Sequence, residues 1–127
     1  MNKTAFLTGA NVGQSNLLTK QLAARGWHVF AGVLPGAPTD LVNGPNITVV
    51  EQDVTSTESV NASAEVVRKA LGGRGLDLLM NIAGVANVAV GVVEAADLKA
   101  MERLFQINLF GQVRVVQAFL PMLRQNA

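Results

Sequence analysis

The sequence contains no tyrosine and no cysteine, a single histidine, and only 15% charged residues. Without cysteine, neither a disulfide nor a Cys-based metal site can form, and the redox compartment is left open. One histidine, His28, cannot build a multi-histidine centre, so no metal site is expected. Ten basic residues against nine acidic ones leave a formal charge of +1, and no basic cluster exists. That balance argues against nucleic acid as a partner. No apolar run approaches the roughly 20 residues of a bilayer span, and the N-terminus lacks a signal-peptide pattern. A soluble, cytoplasmic protein with no membrane partner is expected. The absence of tyrosine removes the phenolic proton donor from any catalytic scheme.

What is present is apolar: half of the 127 residues are hydrophobic, enough for one domain, residues 1–127, with its own core. Residues 4–8 read as a short buried strand. The helix-like segment after them carries Leu18 and Leu22 on one face, and Gly26 stands where a left-handed helix end belongs. Residues 28–33 and 47–52 are two further apolar strands, separated by a loop that holds three of the four prolines. Thr55-Ser56-Thr57-Glu58 fits a capping box, with the Thr55 hydroxyl and Glu58 each satisfying a free amide. Val60, Ala64, Val67 and Leu71 then form a helical core stripe, which Gly72 to Gly75 end. Residues 76–83 are the fourth strand, and helical sequence runs from about Glu94 onwards. Strands alternating with helices predict a parallel sheet, because parallel neighbours need a crossover, and the nearly continuous apolar strands suit a sheet covered on both faces.

The first strand runs into Thr8-Gly9-Ala10-Asn11-Val12-Gly13-Gln14-Ser15. Two glycines at a strand-to-helix junction free the main chain to approach a dinucleotide pyrophosphate, whose charge the helix N-terminus favours. A tight turn with no ligand fits the same loop equally well.

Taken with three further motifs, that loop resembles the short-chain dehydrogenase/reductase family, whose glycine motif is TGxxxGxG. Here Ser15 replaces the third glycine, and its hydroxyl is able either to bond a phosphate or to cap the helix. Asp53-Val54 resembles the pair that meets the adenine ring. Asn81-Ile82-Ala83-Gly84 is similar to NNAG, with Ile82 in place of the second asparagine. Asn108, in FQINLFG, matches the asparagine that holds a structural or proton-relay water at a kink in a long helix.

The resemblance implies a Rossmann-like three-layer α/β fold with strand order 3-2-1-4, truncated before the fifth strand. It implies Gly9, Asn11, Val12 and Gly13 around the pyrophosphate, Asp53 and Val54 at adenine, and Asn81, Ala83 and Gly84 along the adenosine ribose and crevice. Asn108 is the one matched member of the catalytic set. The cofactor is NAD or NADP, and the complete family moves hydride between nicotinamide and an alcohol or carbonyl carbon. Val33 and Leu34, at the positions that select between the cofactors, carry no charge, so no preference is readable. The family's serine and its YxxxK lie beyond the matched motifs, and without them this chain alone is expected to be inactive. His28, Glu94 and Asp97 are poor substitutes: His28 belongs to the opposite end of the sheet, and the two acids suit a helix start.

Three readings stay open: part of a complete oxidoreductase, a short non-catalytic nucleotide-binding module, or an assembly subunit. The last helix carries two apolar stripes, Leu109, Val113, Val116, Leu120 and Leu123 on one and Val115, Phe119 and Met122 on the other. One can cover the sheet. A homo-oligomer through that helix, or through an exposed fourth strand, is expected. Pro121 is expected to kink the helix.

Overall fold

The computed structural model describes residues 2–40, 42–86 and 91–127. Four parallel strands, β1 (Thr4–Leu7), β2 (His28–Val33), β3 (Ile47–Glu51) and β4 (Leu78–Met80), form one sheet in the order β3-β2-β1-β4. Between them run α1 (Gly13–Ala24) and α2 (Thr57–Leu71). After β4 come a 3-10 turn (Val93–Ala95), α3 (Leu98–Phe105), a π turn (Gln106–Gly111) and α4 (Gln112–Arg124). The order is the one the resemblance implied.

Successive strand residues point to opposite faces, and the core divides accordingly. Phe6, Phe30 and Val50 pack under α2 and α4, against Val60, Val67, Leu71, Val115, Phe119 and Met122. Ala5, Leu7, Val29, Ala31 and Val33 face the other way, towards Leu18 and Leu22 of α1. Helices cover both sides, giving three layers.

Helix α2 follows its pattern, with Val60, Ala64, Val67 and Leu71 all buried. Its end also matches, since Gly72 adopts the left-handed conformation at φ 60° and its N–H bonds the Lys69 carbonyl. Its start differs from the predicted box by one residue. Ser56 is the cap, accepting from the Ser59 amide at 3.1 Å. Thr55 donates its hydroxyl to Asp53 Oδ1 instead, at 2.7 Å. Glu58 thus falls one position early for a reciprocal bond.

Strand β4 is shorter than the predicted residues 76–83. The Leu76 amide is taken by the Met122 carbonyl of α4. Past Met80, the amides of Ile82 and Ala83 both donate to Thr8 Oγ1, each at 2.8 Å, in place of a ladder with β1. A single side chain closes that end of the pairing.

The C-terminal helical region is three pieces. Asp97 caps α3, its Oδ1 accepting from the Lys99 and Ala100 amides at 3.0 and 3.3 Å. The sheet settles the choice of stripe on α4: Val115, Phe119 and Met122 are buried. Leu109, Val113 and Val116 are 49%, 46% and 39% exposed. Helix α4 continues through Pro121 to Arg124, and the π turn precedes it. His28 stands at the opposite end of the sheet, with Nε2 2.9 Å from Thr48 Oγ1.

Candidate functional site

At the C-terminal ends of the strands lies a cavity of about 1320 Å³. Ligands gather at this edge of an open parallel sheet because loops diverge there and helix N-termini point inwards. Five segments wall it: the glycine turn, the loops after β2, β3 and β4, and α3 with the π turn.

The glycine turn is fastened from within by polar side chains. Thr8 is buried and ties the turn to the loop after β4 through the two amides it accepts. Ser15, also buried, donates to the Thr8 carbonyl at 2.7 Å. The hydroxyl does not cap the helix; it braces the turn. Asn16 Nδ2 donates to the Ala10 carbonyl at 3.2 Å. The Ala10 amide in turn bonds the Gly32 carbonyl at 2.8 Å.

Gly9 and Gly13 have φ of 60° and 55°, a region in which a side chain is strained. A Cβ on Gly9 would stand 3.2 Å from Ala83 Cα, so the turn and the loop after β4 touch main chain to main chain. Helix α1 begins at Gly13 with no side-chain cap, whereas α2 and α3 are capped by Ser56 and Asp97. The first amides of a helix have no partner inside it. The first residues of this uncapped helix, Gly13, Gln14 and Ser15, line the cavity, as do Leu98 and Lys99 at the start of the capped α3.

Gly9, Asn11, Val12, Gly13, Asp53, Val54, Ala83 and Gly84 all line this cavity. Asp53 is held rigidly: its Oδ1 accepts from the Thr55 amide and hydroxyl, and its own amide donates to Ser59 Oγ at 2.9 Å. Leu34 also lines the cavity and is 56% exposed, whereas Val33 is buried in the sheet.

Asn81 and Asn108 stand outside the lining. Asn81 Nδ2 donates to the Gln112 carbonyl at 3.4 Å, and its buried Oδ1 has no partner among the described residues. Asn108 lies within the π turn. Its Oδ1 accepts from the Val85 amide at 2.8 Å and its Nδ2 donates to the Val85 carbonyl at 2.6 Å. Both ends of the amide are thereby spent on one residue, fixing the loop after β4 to the helix. Single π turns inside helices are frequent at functional positions, and one lies here at Asn108.

Sequence reading missed the far wall, where Leu98, Met101 and Phe105 of α3 and Ile107 and Phe110 of the π turn face the cavity. The signal was present in the exposed apolar residues of α3, which has no buried residue of its own. It also missed Thr8 and Asn16 as braces; both are polar residues at positions the packing buries. Among the described residues no group of three or more His, Cys, Asp or Glu is placed to hold a metal ion.

Comparison with known proteins bears on the same residues. The family model described as short chain dehydrogenase matches residues 3–127. The short-chain dehydrogenase fogD of Aspergillus ruber is 38% identical over 122 residues, covering 95% of this chain and 42% of that protein. Human 17-beta-hydroxysteroid dehydrogenase type 6 is 32% identical over 127 residues, covering 98% of this chain and 40% of that protein. Among solved structures, NADPH-bound carbonyl reductase from chicken fatty liver superposes with a TM-score of 0.87 at 30% identity, over 98% of this chain and 49% of that one. The chain spans two fifths to half of the length of these relatives.

Proposed function

This chain belongs to the short-chain dehydrogenase family, and on that premise we propose that residues 1–127 act as a single unit whose cavity binds a nicotinamide dinucleotide. The observation that carries the proposal is the uncapped start of α1 beside two left-handed glycines, in a chain whose α2 and α3 are capped by side chains. Free amides at a helix tip bind an anion, and the diphosphate of a dinucleotide is one. A Cβ on Gly9 would crowd Ala83 at 3.2 Å on a left-handed backbone, so glycine here keeps main-chain atoms at the surface of the crevice.

In this reading Gly9, Asn11, Val12 and Gly13 hold the pyrophosphate. Asp53 and Val54 meet adenine, where Asp53 Oδ2, which takes no hydrogen bond among the described residues, accepts from the exocyclic amine. Ala83 and Gly84 flank the ribose, with Asn81 supporting them from behind. Asn108 positions the loop after β4 through Val85 rather than facing the cavity. Nicotinamide, when bound, accepts or donates hydride. In the whole protein the reaction is transfer between that ring and an alcohol or carbonyl carbon.

The end of β2 offers Leu34, which neither repels nor attracts a 2′-phosphate. A tenfold preference between NAD and NADP amounts to about 1.4 kcal/mol, below the roughly 1.5–3 kcal/mol of one hydrogen bond to a charged group. Discrimination under tenfold is expected. We place the protein in the cytoplasm; among the described residues no helix is long and apolar enough to cross a membrane. The exposed Leu109, Val113 and Val116 support self-association through the π turn and α4, which sedimentation at tens of micromolar tests.

Calorimetric titration with NAD and NADP tests the central reading. Both are expected to bind the folded chain, and Gly9→Ala is expected to lower affinity at least about tenfold, because the added Cβ meets Ala83 and the left-handed φ strains it. A folded chain that binds neither cofactor would sink the reading.

A further inference from the structure

Arg114, in the first turn of α4, makes three hydrogen bonds that tie residues 54–57 to the π turn. Its Nη1 donates to the Val54 carbonyl at 3.2 Å, its Nε to Thr57 Oγ1 at 3.2 Å, and its Nη2 to Gln106 Oε1 at 3.0 Å. Val54 belongs to the loop that lines the cavity, Thr57 opens α2, and Gln106 opens the π turn that carries Asn108. A second observation marks the same contact. A Cβ on Gly111 would stand 2.9 Å from Val54 Cγ2, so the π turn lies directly against that side chain.

We propose that Arg114 is a positioning residue for the adenine end of the dinucleotide. It acts through Val54: the guanidinium draws the loop after β3 onto the π turn, so the adenine platform shares a support with the clamp between Asn108 and Val85. The inference rests on the dinucleotide reading above. Arg114 is not part of the cavity lining and touches no ligand in this scheme. The planar fork is what the geometry requires, since it reaches three acceptors in fixed directions, whereas a lysine ammonium is a point charge on a flexible stem.

The test uses Arg114→Met, which keeps the apolar stem, and Arg114→Lys, which keeps the charge. Hydrogen exchange is followed at the Asp53 and Thr55 amides in the ligand-free chain, with the β1 amides as reference. Titrations use AMP and nicotinamide mononucleotide. In Arg114→Met, exchange at the two loop amides is expected to rise roughly tenfold with β1 unchanged, as one lost support loosens a local unit. AMP affinity is expected to fall about five- to tenfold while the mononucleotide stays within about twofold, and Arg114→Lys is expected to recover less than half of the loss. Unchanged loop exchange overturns the proposal, as does equal weakening of the two ligands or acceleration that extends to β1. If Arg114→Met fails to fold, the loop exchange of Arg114→Lys decides in the same way. If the native chain binds neither NAD nor NADP, the dinucleotide reading fails, and the exchange result still judges the positioning.

Discussion

On the α2–α4 side of the sheet, Phe6 and Phe119 meet with ring centroids 4.4 Å apart, inside a continuous apolar cluster. On the α1 side the fully buried residues of the helix are Ser15, Asn16 and Thr19, while Leu18, Leu22 and Ala23 are only partly covered. The same four strands support both layers, so the difference lies in what each helix has to do. Helix α2 ends in a left-handed glycine, begins in a serine cap and spends its inner face on burial. Helix α1 leaves its first amides open and is pinned near that end by side chains reaching main-chain carbonyls. A helix tip offered to a ligand gives up its own capping, and polar bonds behind it replace the missing apolar grip.

The sharpest way to break this comparison is on the apolar side. Phe119→Ala removes half of the aromatic pair from a fully buried site and is expected to cost about 3–5 kcal/mol in urea unfolding. A loss below about 1 kcal/mol would mean that this face is not the main source of stability. Thr8→Val comes next. It keeps the shape but strips the acceptor from the Ile82 and Ala83 amides, and about 2–3 kcal/mol of destabilisation is expected from two amides left short of a partner. Because Thr8 joins two walls of the cavity, dinucleotide affinity should fall with it. An unchanged affinity would separate the brace from the site.

Thr19 sharpens the contrast in the other direction. Its hydroxyl is buried on the α1 side with no partner among the described residues. Thr19→Val is therefore expected to be neutral or to stabilise the chain by up to about 1 kcal/mol, since removing an unsatisfied group recovers its desolvation cost. A clear destabilisation would show that the hydroxyl is satisfied after all, and that the polar packing of α1 is complete.

The alternation of apolar runs with helix-like segments is enough to read a parallel sheet, and the family resemblance supplies its order. The glycine turn, Asp53-Val54 and Ala83-Gly84 are legible because each is a short motif at a strand end, where topology alone brings them together. What escapes is settled by contacts distant in sequence. Thr55 and Ser56 are equally able to cap a helix; Asp53 decides by capturing the Thr55 hydroxyl. Both stripes of α4 are apolar, and the inner one is chosen by Phe6, more than a hundred residues earlier. The π turn carries Asn108, whose side chain is fixed to Val85 in a distant loop, and β4 is short because Thr8 takes the amides a longer ladder would have used. Arg114 looks like any surface cation until two segments, residues 54–57 and the π turn, are folded around it.

The smallest effect is expected far from both faces, on the outside of α2. Glu65 meets Arg68 at 2.6 Å and Lys69 at 3.7 Å, and all three side chains are largely open to solvent. The hydrogen bond from Arg68, with the nearby positive charges, holds the Glu65 carboxyl below its ordinary value, and the same pair holds the guanidinium above its own. A carboxylate with a depressed folded pKa stabilises above its unfolded value and loses that contribution as pH falls through the folded one. The contribution is therefore present at neutral pH and vanishes in acid, while the guanidinium's is lost only far into the alkaline range. Water and salt screen exposed pairs of this kind heavily. Glu65→Gln is expected to leave the pH dependence of urea unfolding, from neutrality to about pH 3, indistinguishable from the parent chain. A resolved difference that disappears in high salt would show that the outer face of α2 carries stability which burial on its inner face does not account for.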